Sequence, residues 1–363
     1  MTGFNTAELL WLSSALILLY GLAASRHLTQ LWIKSYQDPQ RIHLNEVSRL
    51  GGLGMLIGVA GLAGLSESLA TSALAFKFLV AFAPLAVIML MEDLHINTRP
   101  GVRLAVILLS SYLILTLTKV TLPSFNTPYL DTLFATPYLS PLFFMLCIAA
   151  LINGMNFIDG TNGNMVFTSL SILAVLYGLA AQLGDNDVMR LAQLFALPLA
   201  LFIPFNYPFG KLFAGDLGAY LCGAAVAFMV IYFFGRHPEL SAWNAVLVVF
   251  YPTMELMYSI ARKRLSKKSP FLPDREHLHI KLFIIFNRGS NRPRLSNNLV
   301  TIMLSVFWLW PAVIIPWVYQ SHWLLFSSLI FLAGAYIALN RLIPVTETEN
   351  TETENTETEN RGD

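Results

Sequence analysis

Polar residues are scarce in this chain, and they gather in a few short segments whose composition suits phosphate and nucleotide chemistry. Asn153-Gly-Met-Asn-Phe-Ile-Asp-Gly-Thr-Asn-Gly-Asn164 joins four asparagines, three glycines and one aspartate directly behind an apolar run. Glycines let a backbone turn tightly and approach a ligand closely, while amides both donate and accept hydrogen bonds. Such a string suits the base, ribose or phosphates of a nucleotide, and a plain turn would need only one or two of these residues. A second segment runs from Asn206 to Asp216 into another apolar run. Asp216 falls near the expected start of a helix, where the helix dipole favours anions and their metal complexes. One carboxylate with phosphates and water is a common Mg²⁺ arrangement. Phe213, three residues earlier, could stack on a flat base or serve as an interfacial aromatic.

Two further clusters are more ambiguous. Glu92 and Asp93 follow Val-Ile-Met-Leu-Met at the end of an apolar run. Adjacent carboxylates there are either a polar helix end or a pair that takes a proton or holds a metal. In Pro273-Asp-Arg-Glu-His-Leu-His279, His277 and His279 are two residues apart and beside Arg275. Alternate spacing faces two imidazoles the same way on an extended chain, which could bind zinc, although no cysteine or third histidine lies nearby. Arg and His together more naturally clamp a diphosphate. A basic loop drawn to anionic lipid explains the surrounding Lys and Arg but not the order of this segment.

The elements that must position these clusters are membrane helices. Of the 363 residues, 55% are hydrophobic and 12% charged, against about a quarter charged in soluble domains. The mean hydropathy is +0.59. Apolar runs of about 20 residues recur, too long and too uniform for barrel strands, so an all-α polytopic membrane helix bundle is expected. We expect about eleven spans, at 9–25, 50–66, 74–91, 102–121, 139–153, 165–183, 190–205, 217–235, 242–260, 299–318 and 323–340. The first is read as a retained helix, because no basic residues precede it and no clear cleavage site follows. Cys147 and Cys222 both lie in apolar runs, which suggests neither a disulfide framework nor a zinc site.

With the N-terminus outside and the C-terminus cytoplasmic, all 23 Lys and Arg residues except Lys77, Lys119, Arg190 and Arg236 fall on the inner side. Every loop with unusual polar chemistry then faces the cytoplasm, which argues for one composite site there. Residues 1–343 are expected to form a single membrane domain. Residues 344–363 repeat Thr-Glu-Thr-Glu-Asn three times before Arg-Gly-Asp and are expected to be a disordered acidic tail.

Between about residues 40 and 285 the clusters, in this order, resemble the polyprenyl-phosphate N-acetylhexosamine-1-phosphate transferases (glycosyltransferase family 4). That superfamily includes the muramyl-pentapeptide phosphotransferase and the initiating transferases of O-antigen and teichoic acid synthesis. Arg49-Leu-Gly-Gly-Leu-Gly resembles its early glycine motif, and Glu92-Asp93 stands at its paired-aspartate site. Asn156-Phe-Ile-Asp-Gly-Thr-Asn-Gly resembles its Asn-x-x-Asp-Gly-x-Asp-Gly segment. Gly215-Asp-Leu-Gly resembles its Gly-Asp-x-Gly, with Asn206 ten residues earlier. Pro273-Asp-Arg-Glu-His-Leu-His resembles its histidine motif.

The resemblance implies Mg²⁺-dependent transfer of a sugar 1-phosphate from a UDP-N-acetylhexosamine to polyprenyl (undecaprenyl) phosphate, with release of UMP. Mn²⁺ would be the substitute ion. It implies Asp216 as metal ligand and Glu92 with Asp93 as the acidic pair that deprotonates or organises the lipid phosphate. Substrate contacts would come from Arg49, Asn156, Asp159, Asn162, Asn206 and Phe213, with Arg275, His277 and His279 on the diphosphate and sugar side. The implied setting is a bacterial inner membrane with the site facing the cytoplasm, in the initiation of cell-wall, lipopolysaccharide or O-antigen glycans. A homodimer fits the resemblance, and a nucleic-acid partner does not.

Three positions depart from the family pattern. Glu92 replaces an aspartate, Asn162 replaces the second aspartate of its segment, and Ile280 ends the usual His-x-His-His. Asn162 can hydrogen-bond but cannot act as a base. These departures leave open a catalytically weak relative. A transporter of organic anions is the other alternative, but such proteins place ionisable groups near mid-membrane. Here Glu255 is the main mid-span charge.

Overall fold

The computed structural model describes residues 5–25, 47–267, 276–288 and 292–343. Arg275 and the 344–363 tail, with the expectations made for them, lie outside the described residues. Fourteen helices occur among those described, with no strand and one isolated bridge between Ser48 and Leu212. They are α1 (Thr6–Ala23), α2 (Gly51–Leu65), α3 (Leu69–Asp93), α4 (Pro100–Thr118), α5 (Pro128–Phe134), α6 (Leu139–Ile158) and α7 (Asn164–Leu183). The remainder are α8 (Asn186–Asn206), α9 (Gly215–Arg236), α10 (Trp243–Val248), α11 (Phe250–Leu265), α12 (Leu278–Asn287), α13 (Pro293–Val318) and α14 (His322–Leu342).

Local chemistry marks the helix starts. Proline opens α4, α5 and α13, where its missing N–H leaves no hydrogen bond unmade. Side chains of Asn5, Ser68, Asp185 and Ser321 accept from first-turn amides of α1, α3, α8 and α14. Among the described residues, nine helices are long and apolar enough to cross a membrane: α1, α3, α4, α6, α7, α8, α9, α13 and α14. The chain is an all-α polytopic membrane bundle.

Each of the eleven segments expected from the sequence is helical, with two differences of form. α2 has 15 residues, about 22 Å of helix at 1.5 Å per residue, short of a hydrocarbon core of about 30 Å. The 242–260 segment, expected as one span, is broken at Val249 (φ −98°, ψ 20°) into α10 and α11. Pro252 gives the reason. A proline inside a continuous helix would leave a carbonyl unpaired and clash with the preceding turn, whereas in a first turn it does neither. Two shorter helices, α5 and α12, lie in segments read from sequence as loops.

α9 is the axis of the bundle, 94% buried along its apolar stretch. Small residues including Gly218, Ala219, Cys222 and Gly223 let α2, α3, α6, α7 and α8 pack closely around it. α14 is the opposite case, only 17% buried, and so exposes most of its surface to lipid. Whatever α9 carries at its first turn is therefore surrounded by other helix ends.

Candidate active site

Asp216 is the second residue of α9, and the neighbouring segments are tied to its start through backbone hydrogen bonds. Phe213 N–H donates to the Ser48 carbonyl (2.9 Å). Gly51 and Gly52 N–H donate back to the carbonyls of Phe213 and Ala214 (3.0 and 2.8 Å). This short pairing sets Arg49 beside Asp216, 167 residues away in sequence.

The side chains then converge. One Asp216 oxygen, Oδ1, accepts from the Arg49 guanidinium (3.2 Å) and from Asn156 Nδ2 (3.3 Å). Its other oxygen carries no hydrogen bond from the described residues, and the side chain is 20% exposed. Asp93 ends α3 and turns its carboxylate onto the first turn of α9. It accepts from Asp216 N–H (2.7 Å) and Leu217 N–H (2.9 Å) and pairs with Arg49 Nε at 3.5 Å. Gly215 makes this approach possible. Its φ of +70° suits glycine, and a Cβ there would lie 2.6 Å from both Asp93 oxygens. Asp93 is thus a helix cap supplied by a different helix, with 1% of its side chain exposed.

Asp159 follows α6 and is half-buried beside this cluster. Burial pushes its carboxyl well above the usual range; Arg49 opposes the shift, and repulsion from Asp216 and Asp93 adds to it. Three aspartates therefore share the field of the Arg49 guanidinium. Glu92 does a separate job next door. It accepts from the backbone N–H of Thr98 (2.9 Å), from the Thr98 hydroxyl and from Arg103 (3.2 Å), closing the α3–α4 turn. The sequence reading missed Arg103, although a cation one turn into a helix facing two acids was a visible signal.

The amide segment is held from two sides. Gly163 N–H donates to Asn206 Oδ1 (2.6 Å), and Asn206 Nδ2 donates to the Leu212 carbonyl (2.9 Å), so this asparagine locks two loops together. Asn162 N–H donates to Asn297 Oδ1 (2.7 Å), and Thr301 Oγ1 donates to the Asn162 carbonyl (2.7 Å). Both partners come from α13; Thr301 falls in the expected 299–318 span and Asn297 in the polar loop before it. The Asn162 side chain is buried, and its Oδ1 has no hydrogen-bond partner among the described residues. Phe213 is half-buried at the seam.

The histidine arm comes from the other side. His277 and His279 are both buried and their rings stack with centroids 5.7 Å apart. Phe157, next to Asn156, meets His277 edge-to-face at 5.1 Å, and a Cβ on Gly160 would run into the His279 ring. The structure thus brings together Arg49, Asp93, Asn156, Asp159 and Asp216, sets Glu92, Asn162, Asn206 and Phe213 around them, and joins the two histidines through Phe157 and Gly160.

The donor set bears on the expected metal. Among the described residues, no three acidic, cysteine or histidine side chains converge to enclose an ion. A cage made wholly of protein ligands does not fit. One partly exposed carboxylate at a helix start, repelled by neighbouring acids, does fit a Mg²⁺ ion that takes one or two protein oxygens and completes its shell with phosphates and water.

An all-helical membrane protein with an acid- and amide-lined centre at one end of its bundle is the class that fold and site define. Comparison with known proteins narrows the class: residues 58–234 match glycosyl transferase family 4. The chain is 26% identical over 311 residues to the decaprenyl-phosphate N-acetylglucosaminephosphotransferase of Mycobacterium tuberculosis, covering 76% of each chain. It is 29% identical over 139 residues to the undecaprenyl-phosphate alpha-N-acetylglucosaminyl 1-phosphate transferase of Thermotoga maritima, covering 38% of this chain and 42% of that relative. A shorter likeness, 28% over 143 residues, links it to the phospho-N-acetylmuramoyl-pentapeptide-transferase of Moorella thermoacetica, across 39% and 44% of the two chains.

Proposed function

We propose that this protein transfers an N-acetylhexosamine 1-phosphate from a UDP-sugar to a polyprenyl phosphate and releases UMP, as the first membrane step of a cell-surface glycan. The observation that carries this reading is the convergence of Arg49 and Asn156 on Asp216, with Asp93 holding the helix start and Asp159 beside it. The names of the relatives support it, since they act on polyprenyl phosphates and N-acetylglucosamine phosphate.

In this reaction an oxygen of the lipid phosphate attacks the phosphorus that bears the sugar. The bond from that phosphorus to the bridging oxygen of the diphosphate breaks, and the electron pair leaves with UMP. Both substrates are anions, so the chain must supply positive charge and hydrogen-bond donors where they meet. Arg49, whose side chain is 41% exposed, places a fixed guanidinium there. Asn156 orients Asp216, and the amide segment offers donors and acceptors to the nucleotide. Asp159, with its raised proton affinity, can carry a proton at the site. Asp216 is the residue that would hold Mg²⁺, with Mn²⁺ as the alternative ion. When bound, the metal offsets charge on the diphosphate as the bond breaks. The Lys and Arg bias supports N-out, C-in topology with this site on the inner face of a bacterial cytoplasmic membrane, where a soluble donor and a lipid acceptor can both reach it.

The test is UMP release by the purified chain in detergent with Mg²⁺, undecaprenyl phosphate and a panel of UDP-N-acetylhexosamines. Lipid-dependent UMP from one donor is expected. Silence across the panel, with folded protein and intact lipid, would overturn the reading.

A further inference from the structure

Glu255 is a buried charge that the centre described above does not use. It lies on α11 with 1% of its surface exposed, in a stretch where an ionised carboxylate needs partners. It has three. Oε1 accepts from His277 Nδ1 (2.9 Å) and, at 3.4 Å, from Leu278 N–H, while Oε2 accepts from the Tyr336 hydroxyl (2.6 Å). Tyr336 belongs to α14, the helix that is mostly turned to lipid, yet Tyr336 itself and Asn340 one turn later are fully buried. Asn340 accepts Lys281 Nζ on its side-chain oxygen (2.7 Å) and its backbone carbonyl (3.1 Å). The inward face of α14 thus grips the histidine arm twice, through Glu255 at His277 and directly at Lys281.

The hydrogen bonds define a protonation pattern. An ionised carboxylate only accepts, so a His277 ring paired with it carries its proton on Nδ1. Nε2 is then the nitrogen that accepts a hydrogen bond or takes a second proton, and the buried charge of Glu255 offsets the imidazolium that results. Phe157 against one side of the ring and His279 stacked on it fix the plane.

We propose that Glu255 is a positioning residue for the transfer reaction, holding His277 in the Nδ1–H form and supporting positive charge on its ring beside the sugar diphosphate, with Tyr336 holding Glu255 in turn. The inference rests on the sugar-1-phosphate transfer reading. It places a residue of α11 and a residue of α14, both outside the 58–234 region that matches the family, in the working parts of the protein. For metal-bound imidazoles, removing the carboxylate that orients the ring typically costs roughly 10- to 100-fold in affinity or activity, and an effect of that order sets the scale here.

The experiment uses the full chain in detergent and compares wild type with Glu255→Gln, Glu255→Asp and Tyr336→Phe. Rates are read as UMP release with Mg²⁺, undecaprenyl phosphate and UDP-N-acetylglucosamine or whichever donor proves active. In parallel, ¹⁵N-histidine spectra follow the ring nitrogens of His277, assigned with His277→Asn. The expected result for Glu255→Gln is a kcat lower by roughly 10- to 100-fold with KM for both substrates within about twofold, and loss of the Nδ1–H signature. Glu255→Asp, one methylene short but still charged, should recover part of kcat, and Tyr336→Phe should cost roughly three- to tenfold with the signature retained. Folded Glu255→Gln with wild-type kcat and an unchanged spectrum would overturn the proposal, as would a loss confined to KM. If Glu255→Gln does not stay folded, Tyr336→Phe decides, and an unaltered kcat there counts against it. A wild type that releases no UMP sinks the transfer reading instead, and the ring spectra then still test whether Glu255 sets the His277 tautomer.

Discussion

α9 carries an arginine–aspartate cluster at each end, and the two clusters differ in what their charges have left over. At the far end, Asp185 caps α8 through the amides of Asp187 and Val188. It also accepts from Arg236 Nε at 2.7 Å and meets His237 Nε2 at 3.0 Å, while Arg236 and Arg190 reach Asp187. At the near end, Asp93 caps α9 in the same manner, but Arg49 is shared by Asp93, Asp159 and Asp216. The proton affinities separate accordingly. Burial raises the Asp185 carboxyl, yet the hydrogen bonds from Arg236 and from Val188 N–H outweigh it and leave Asp185 below its ordinary value. Asp159 is driven up, chiefly by burial, because Arg49 opposes the shift without outweighing it and Asp216 and Asp93 add repulsion. A carboxylate at a helix start is a structural part; a surplus of carboxylates there is a demand for a cation or a phosphate-bound metal. The unmet charge, not the presence of charge, marks the site.

The sharpest way to break this comparison is at Asp216, whose second oxygen accepts no hydrogen bond from the described residues. Asp216→Asn should lower UMP release by on the order of 10²- to 10³-fold or more, with the thermal midpoint close to wild type because Asp93, and not the Asp216 side chain, caps the helix. Near-wild-type turnover would remove Asp216 from the metal position. Asp93→Asn should act on both properties at once. It places an NH₂ group or a single acceptor against two buried amides, so an activity loss of roughly 10²-fold should come with about 1–3 kcal/mol of lost stability. A stable but inactive variant would mean that Asp93 reaches substrate directly rather than through the helix start.

Asn162→Asp tests the edge of the charged region. The backbone N–H and carbonyl of residue 162, not its side chain, make the contacts to Asn297 and Thr301. Turnover should therefore stay within roughly threefold, with some loss of stability from a buried carboxyl that lacks a partner. A collapse of activity would show that the pocket is built around the amide.

How much of this was legible beforehand follows from the range of the interactions. The helices were readable because apolar run length is local information, and the acid and amide motifs because their residue types are unusual in such a chain. The break at Val249 was also local, written in Pro252, but hydropathy alone passes over it. The role of Asp93 was not legible. Its sequence context describes the end of α3, while its hydrogen bonds belong to the start of α9, 123 residues away. Glu255 stood out as a mid-span charge, but its partners His277 and Tyr336 lie 22 and 81 residues off. Thr301 looked like part of the 299–318 span and Asn297 like part of the loop before it, and only packing turns them onto the amide segment.

The smallest expected effect lies at the balanced end. Asp185→Asn should leave UMP release unchanged at neutral pH, since its cluster sits at the opposite end of α9 from Asp216, and should lower the thermal midpoint by a few degrees through a weakened cap and lost pairing. The pH dependence follows from the lowered proton affinity of Asp185. A carboxyl held below its unfolded value contributes stability at pH above that value, about 4, and loses the contribution as pH falls through the folded-state value. The gap between wild type and Asp185→Asn should therefore be widest at neutral pH and close as the solution is acidified below about 4. Thermal midpoints of both proteins across that range measure it directly. A gap that stays constant with pH would mean that Asp185 acts through cap geometry alone, and the contrast between a satisfied and an unsatisfied end of α9 would then rest on the near end only.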